Sequence, residues 1–155
     1  MPIVAFAALL AWCVVLSVID FRQRRLPNSL TGWGALGVFG YALSTTQFTA
    51  ALLGAALLAV PYLAVHLVLP TAFGAGDVKL AVGLGAAAAL GGGQAWVWAA
   101  LTAPLLTAAA GIVLLGMHRS RAPVDGADAP RRLAVPHGPA MCLATVCALA
   151  TANAG

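Results

Sequence analysis

Hydrophobic residues run along this chain in six blocks, Pro2 to Ile19, Leu30 to Ser44, Phe48 to Leu69, Val78 to Leu90, Ala95 to Gly116 and Leu133 to Ala152, with short breaks between them. A helix on the surface of a soluble domain would show an apolar stripe and a polar face. Lys79 apart, these blocks carry no Asp, Glu, Lys or Arg on any face, which predicts helices surrounded by lipid. The expected fold is all-α: a single membrane domain over residues 1–155 with about six transmembrane helices. Several blocks approach the roughly 20 residues that cross a hydrocarbon core of about 30 Å, while the second and fourth are short and must extend into their flanks. Gly32, Gly37, Gly40, Gly54, Gly83 and the many alanines allow close helix approach, and Pro61 and Pro104 are expected to kink the spans that contain them.

The few charges refine this picture. Lysine and arginine fall into three breaks, holding Arg22, Arg24 and Arg25, then Lys79, then Arg119, Arg121, Arg131 and Arg132. With six spans these lie on one side, and Thr45 to Gln47, Gly91 to Gln94 and both termini lie on the other. The excess of positive charge marks the first side as cytoplasmic, so both termini are expected outside. The first block has no basic stretch before it, which reads as a retained helix instead of a cleavable signal. The segment from His118 to Arg132, rich in Arg, Asp, Pro and Ala, is expected to be a mobile cytoplasmic loop and is given no chemistry.

Only 8% of the residues are charged, against about 25% in an average soluble domain, and mean hydropathy is +0.97, so the net charge of +4 reads as topology. No basic stripe or recognition motif speaks for nucleic acid. Cys13, Cys142 and Cys147 lie in apolar blocks without CxxC or Cys/His spacing and read as packing residues; no metal site and no cofactor is expected.

Of the four acidic residues, Asp125 and Asp128 lie in the expected loop, whereas Asp20 closes the first block and Asp77 opens the fourth, both at the cytoplasmic boundary. An ionisable residue at that depth is costly and points to function. Each could also merely end a helix, Asp77 as an N-cap and Asp20 paired with Arg22 or Arg24. The local sequence separates the readings. Phe73-Gly74-Ala75-Gly76 precedes Asp77, and two glycines before a helix start allow positive φ and close approach of another backbone, which a protease holding an extended peptide needs. A phosphate loop fits less well, because GK[ST] and a preceding strand are missing. Two carboxylates brought together cannot easily both ionise, so one keeps its proton while the other activates water, and the pair titrates as a unit.

These residues resemble a known family. Phe73-Gly74-Ala75-Gly76-Asp77-Val78-Lys79-Leu80 is similar to the GxGD motif of type IV prepilin peptidases; Asp20 followed by Leu26-Pro27-Asn28 resembles that family's other aspartate and its Pro-Asn turn; and Pro136-His137-Gly138-Pro139-Ala140-Met141 resembles the segment before its last helix. The resemblance implies a membrane aspartyl endopeptidase in the inner (cytoplasmic) membrane of a prokaryote. It would remove the short basic leader of prepilin or pseudopilin precursors at the cytoplasmic face, before a hydrophobic helix. Asp20 and Asp77 would be its catalytic pair, with Gly74, Gly76, Lys79, Pro27, Asn28, Pro136, Gly138 and Pro139 shaping the active loop or binding substrate. Lys79 could orient the site, but a lysine at a membrane boundary is read first as a headgroup anchor.

The chain departs from longer relatives in having only Phe21 to Ser29 where they carry a cysteine-rich insertion. It therefore resembles the compact peptidases of tight-adherence pili, and N-methyltransferase activity is not expected. His137 replaces a more usual aromatic or aliphatic residue and reads as a partly solvated loop residue; His66 reads as a hydrogen-bonded packing residue. Trp96 and Trp98 suit an outer aromatic belt. Two alternatives remain: a GxGD intramembrane protease with other substrates, and a small transporter or scaffold whose aspartates bind protons or cations. The absence of an internal repeat speaks against the last.

Overall fold

The computed structural model describes residues 1–23, 25–69, 74–119 and 136–154. These residues form six helices and no strand: α1 Ile3–Gln23, α2 Asn28–Ser44, α3 Phe48–Val68, α4 Ala75–Leu90, α5 Gly93–Arg119 and α6 Gly138–Ala154. Three of them, Ile3–Gln23, Phe48–Val68 and Gly93–Met117, are long and apolar enough to cross a membrane. With 17 and 16 residues, α2 and α4 are only about 25 Å long at 1.5 Å per residue. Both start earlier than the hydrophobic pattern suggests, α4 by three residues. The sixth helix starts later: residues 136 and 137 are not helical, and Pro139 occupies the first turn, where a missing N–H costs nothing. The expected loop from His118 begins as the end of α5, and residues 120–132 lie outside the described residues.

Small residues fill the inside and large apolar ones cover the outside. Ala42, Ala51, Ala55, Ala81, Ala86, Ala87, Ala88, Ala95, Ala99, Ala103, Ala144 and Ala148 are buried, whereas Leu52, Leu57 and Val60 on α3 and Leu105, Ile112 and Val113 on α5 are exposed. In water this distribution would forfeit much of the hydrophobic effect; in lipid it lets helices pack on backbone contacts. The central element is α4, which packs on α2, α3, α5 and α6 and buries Leu80 through Ala88 with one break at Val82. Its crossing with α3 is the closest: a Cβ on Gly85 would lie 2.5 Å from the Gly54 carbonyl oxygen, and one on Gly54 would lie 2.5 Å from that of Gly85. That same Gly54 carbonyl accepts the Trp96 indole N–H at 3.0 Å, which ties the start of α5 to α3.

The helices run up and down, which brings the end of α1, the start of α2, the end of α3, the start of α4, the end of α5 and the start of α6 to one end of the bundle. At the opposite end the Met1 amino group donates to Asn153 Oδ1 at 2.6 Å.

Candidate active site

Asp20 lies a turn inside the end of α1 and is only 7% exposed, a costly place for a carboxylate unless it is bonded. Its partner comes from the far end of the sequence. The start of α6 leaves backbone N–H groups without intrahelical acceptors and carries partial positive charge. Gly138, the first residue of α6, sits against the Asp20 carboxylate. The approach is so close that a Cβ on Gly138 would lie 2.8 Å from Asp20 Oδ2.

Asp77 stands in the first turn of α4. It is not the N-cap: Gly74 holds that position, with φ −74° and ψ 150°, and Asp77 is the third helical residue. The two are bonded reciprocally. Asp77 Oδ2 accepts the Gly74 N–H at 3.1 Å, and the Asp77 N–H donates to the Gly74 carbonyl at 3.0 Å. The expected positive φ is therefore absent at Gly74, and Gly76 is helical; among the described residues the glycine with positive φ is Gly92, at the other end of α4. What glycine supplies at position 76 is room, since a Cβ there would lie 3.2 Å from Leu26 Cβ. Leu26 also approaches Gly138, to whose Cβ position its Cδ1 is 3.6 Å. One leucine thus fills the space between the helix that carries Asp77 and the glycine that holds Asp20. The Asp77 carboxylate lies within electrostatic range of both Asp20 and His66.

The turn before α2 is tied into this end as well. Pro27 precedes the helix in an extended conformation, and its carbonyl accepts the Leu30 and Thr31 N–H groups at 3.1 Å. Lys79 Nζ donates to Asn28 Oδ1 at 2.8 Å, so the lysine read first as a headgroup anchor joins the start of α2 to the first turn of α4. Pro136 and Pro139 flank the start of α6 and are half-buried. Phe73 and Arg24 lie outside the described residues.

His137 is not a partly solvated loop residue. It is buried, with Nε2 2.8 Å from the Tyr62 hydroxyl on α3 and Nδ1 2.6 Å from the Thr107 hydroxyl on α5. The Tyr62 and His137 rings lie 5.4 Å apart at 35°. Burial pushes the His137 imidazole down to about 4, so it is neutral at pH 7. Tyr62, Thr107 and the proximity of His66 to Asp77 escape a sequence reading organised around carboxylates. A signal exists: Tyr62 and His66 are four residues apart, hence on one face of α3, at the end where the aspartates lie. Nothing comparable marks Thr107, a common residue in an apolar helix. Among the described residues no group of three or more His, Cys, Asp or Glu converges as a metal site would require.

A profile of the type IV leader peptidase family matches residues 7–117, which is more than half of the chain and takes in both Asp20 and the GxGD segment. The chain belongs to the type IV leader peptidase family. Peptidases of this family are of the aspartic type. No curated protein and no solved structure matches the chain. The match ends before α6, so the place of Pro136 to Met141 beside Asp20 rests on geometry: the close approach of Gly138 to Asp20 and the two bonds of His137.

Proposed function

We propose that this leader peptidase is a membrane aspartyl endopeptidase that removes the leader of type IV prepilin or pseudopilin precursors, with Asp20 and Asp77 as its catalytic pair. The observation that carries the reading is that these two carboxylates, 57 positions apart in the sequence, lie within electrostatic range of each other at one end of the bundle. Two carboxylates so placed share a proton more readily than both ionise. The protonated member then polarises the scissile carbonyl while the ionised one takes a proton from the attacking water. Each is held by backbone, Asp77 by the Gly74 N–H and Asp20 by the close approach of Gly138. The Lys79–Asn28 bond and Leu26 hold the Pro27 turn against them. In this reading all six helices span the membrane, the aspartate end faces the cytoplasm of a prokaryotic cell and both termini lie outside. A basic leader in the cytoplasm would then deliver its junction with the hydrophobic helix to the pair.

The test is incubation of the purified protein in detergent with a prepilin-type precursor, followed by mass spectrometry of the products. A single cut between the basic leader and the hydrophobic helix is expected. Cuts within the helix would assign intramembrane proteolysis instead, and an intact precursor together with proton-dependent flux in liposomes would assign transport.

Gly138 provides a sharper check. In Gly138→Ala the new methyl meets the end of the Asp20 side chain, which can swing aside at little cost to the fold, so the loss should fall on activity. A displacement of about 1 Å at a reacting group can lower the rate about 100-fold. We expect kcat to fall about 10- to 100-fold with the melting midpoint nearly unchanged; kcat within twofold of wild type would show that Asp20 is not held by this contact.

A further inference from the structure

We propose that His137 is a positioning residue for Asp20: its imidazole, held between Tyr62 on α3 and Thr107 on α5, sets the start of α6 where Gly138 packs against the carboxylate. The inference deepens the aspartyl reading above and rests on it.

The hydrogen-bond inventory defines the arrangement. Thr107 Oγ1 lies 3.1 Å from the Ala103 carbonyl, which can only accept, so the single hydroxyl proton goes there. The Thr107 oxygen is then the acceptor for Nδ1–H of His137, and Nε2, left with its lone pair, accepts the Tyr62 O–H. A neutral imidazole with its proton on Nδ1 satisfies both contacts at once. The backbone of the same residue caps α6, because the His137 carbonyl accepts the Met141 N–H at 3.1 Å. His137 is therefore fixed by its side chain to two helices and by its backbone to a third, one residue before the glycine that packs against Asp20.

The strut also reaches the other carboxylate. Tyr62 lies within electrostatic range of Asp77, so the chain of contacts starts beside Asp77, passes through Tyr62 and His137, and ends through Gly138 at Asp20. Loss of the strut removes neither carboxylate but releases the start of α6 against which Asp20 rests, so it acts on turnover more than on substrate affinity.

The experiment compares His137→Phe, Tyr62→Phe and Thr107→Val with wild type and with Asp20→Asn, measuring kcat and KM for precursor cleavage and the melting midpoint in detergent. Phenylalanine keeps an aromatic ring at 137 and removes both bonds; the other two each remove one hydroxyl with little change of volume. The expected result is a kcat at least tenfold lower in His137→Phe, with KM within twofold and the midpoint within a few degrees. Tyr62→Phe and Thr107→Val should each lower kcat about three- to tenfold and add little when combined with His137→Phe. If His137→Phe does not fold, the two hydroxyl variants decide. The inference is overturned if kcat stays within twofold in the variants that fold, if KM rises in place of a fall in kcat, or if each fall in kcat is matched by a fall in the midpoint. Wild-type cleavage by Asp20→Asn would instead remove the aspartyl reading, and this inference with it.

Discussion

Asp20→Asn and Asp77→Asn are each expected to lower precursor cleavage by about three orders of magnitude or more, and the double variant to be little worse than either. The amide is nearly isosteric with the carboxylate, so it fits beside Gly138 at position 20, and at position 77 it keeps an oxygen to accept the Gly74 N–H. What is lost is proton transfer. General acid–base catalysis is worth about 100- to 10,000-fold per group, and residues that act as one unit are strongly non-additive. The check is single-turnover cleavage of a purified precursor by wild type, the two single variants and the double variant, with melting midpoints measured alongside. Cleavage within tenfold of wild type by either single variant would eliminate the pair.

The second large effect concerns the fold. Gly85→Leu should destroy the packing of α3 on α4, because even its Cβ would lie 2.5 Å from the Gly54 carbonyl oxygen, 2.9 Å from Leu58 Cβ and 3.2 Å from Ala55 Cα. Two of these three neighbours are backbone atoms, which cannot turn away as a side-chain end can. Overpacking a well-fitted interior costs about 1–3 kcal/mol and occasionally more. A full leucine at a backbone crossing belongs at or above the top of that range, so the melting midpoint should drop by about 10 °C or more. Gly40→Leu is the matched control, since a Cβ at Gly40 meets nothing within 4 Å, and it should stay within a few degrees of wild type. Equal midpoints for the two variants would mean that α3 and α4 do not cross on these glycines.

The two effects are linked through α4. This helix carries Asp77 in its first turn and Gly85 two turns on, and α3 carries Tyr62 and His66 beyond Gly54 on the side toward the aspartates. Close approach at the two glycines therefore brings α3 near enough for His66 to act electrostatically on Asp77 and for Tyr62 to reach His137. A stripe of small residues whose immediate effect is packing also determines which polar side chains surround the site.

Much of the fold was legible in the residues taken one after another. Six apolar blocks became six helices because backbone hydrogen bonds must close within a segment wherever lipid surrounds it, whatever the neighbouring segments do. The GxGD segment and Asp20 with its Pro-Asn turn were likewise readable, since such motifs hold their residues at short spacing. Helix ends were less legible. Asp77 was expected to stand before its helix, yet the helix starts at Ala75, because the Gly74 N–H can close on the Asp77 carboxylate and the cap moves three residues back.

What the sequence determined by itself was the all-helical architecture of the described residues and their apolar exterior, which follow from composition and short-range pattern, and membership in the type IV leader peptidase family, which follows from the match to that family's profile. The tertiary structure decided which distant groups touch. It placed Gly138 against Asp20, Leu26 against Gly76, Lys79 on Asn28, and His137 between Tyr62 and Thr107. A residue's local pattern cannot announce these contacts, because a buried polar group is stabilised by whichever partner the packing of other helices delivers to it. His137 shows this most plainly. In sequence it is a histidine between prolines and glycine in a connecting segment, and only the convergence of α3, α5 and α6 turns it into a buried, doubly bonded strut.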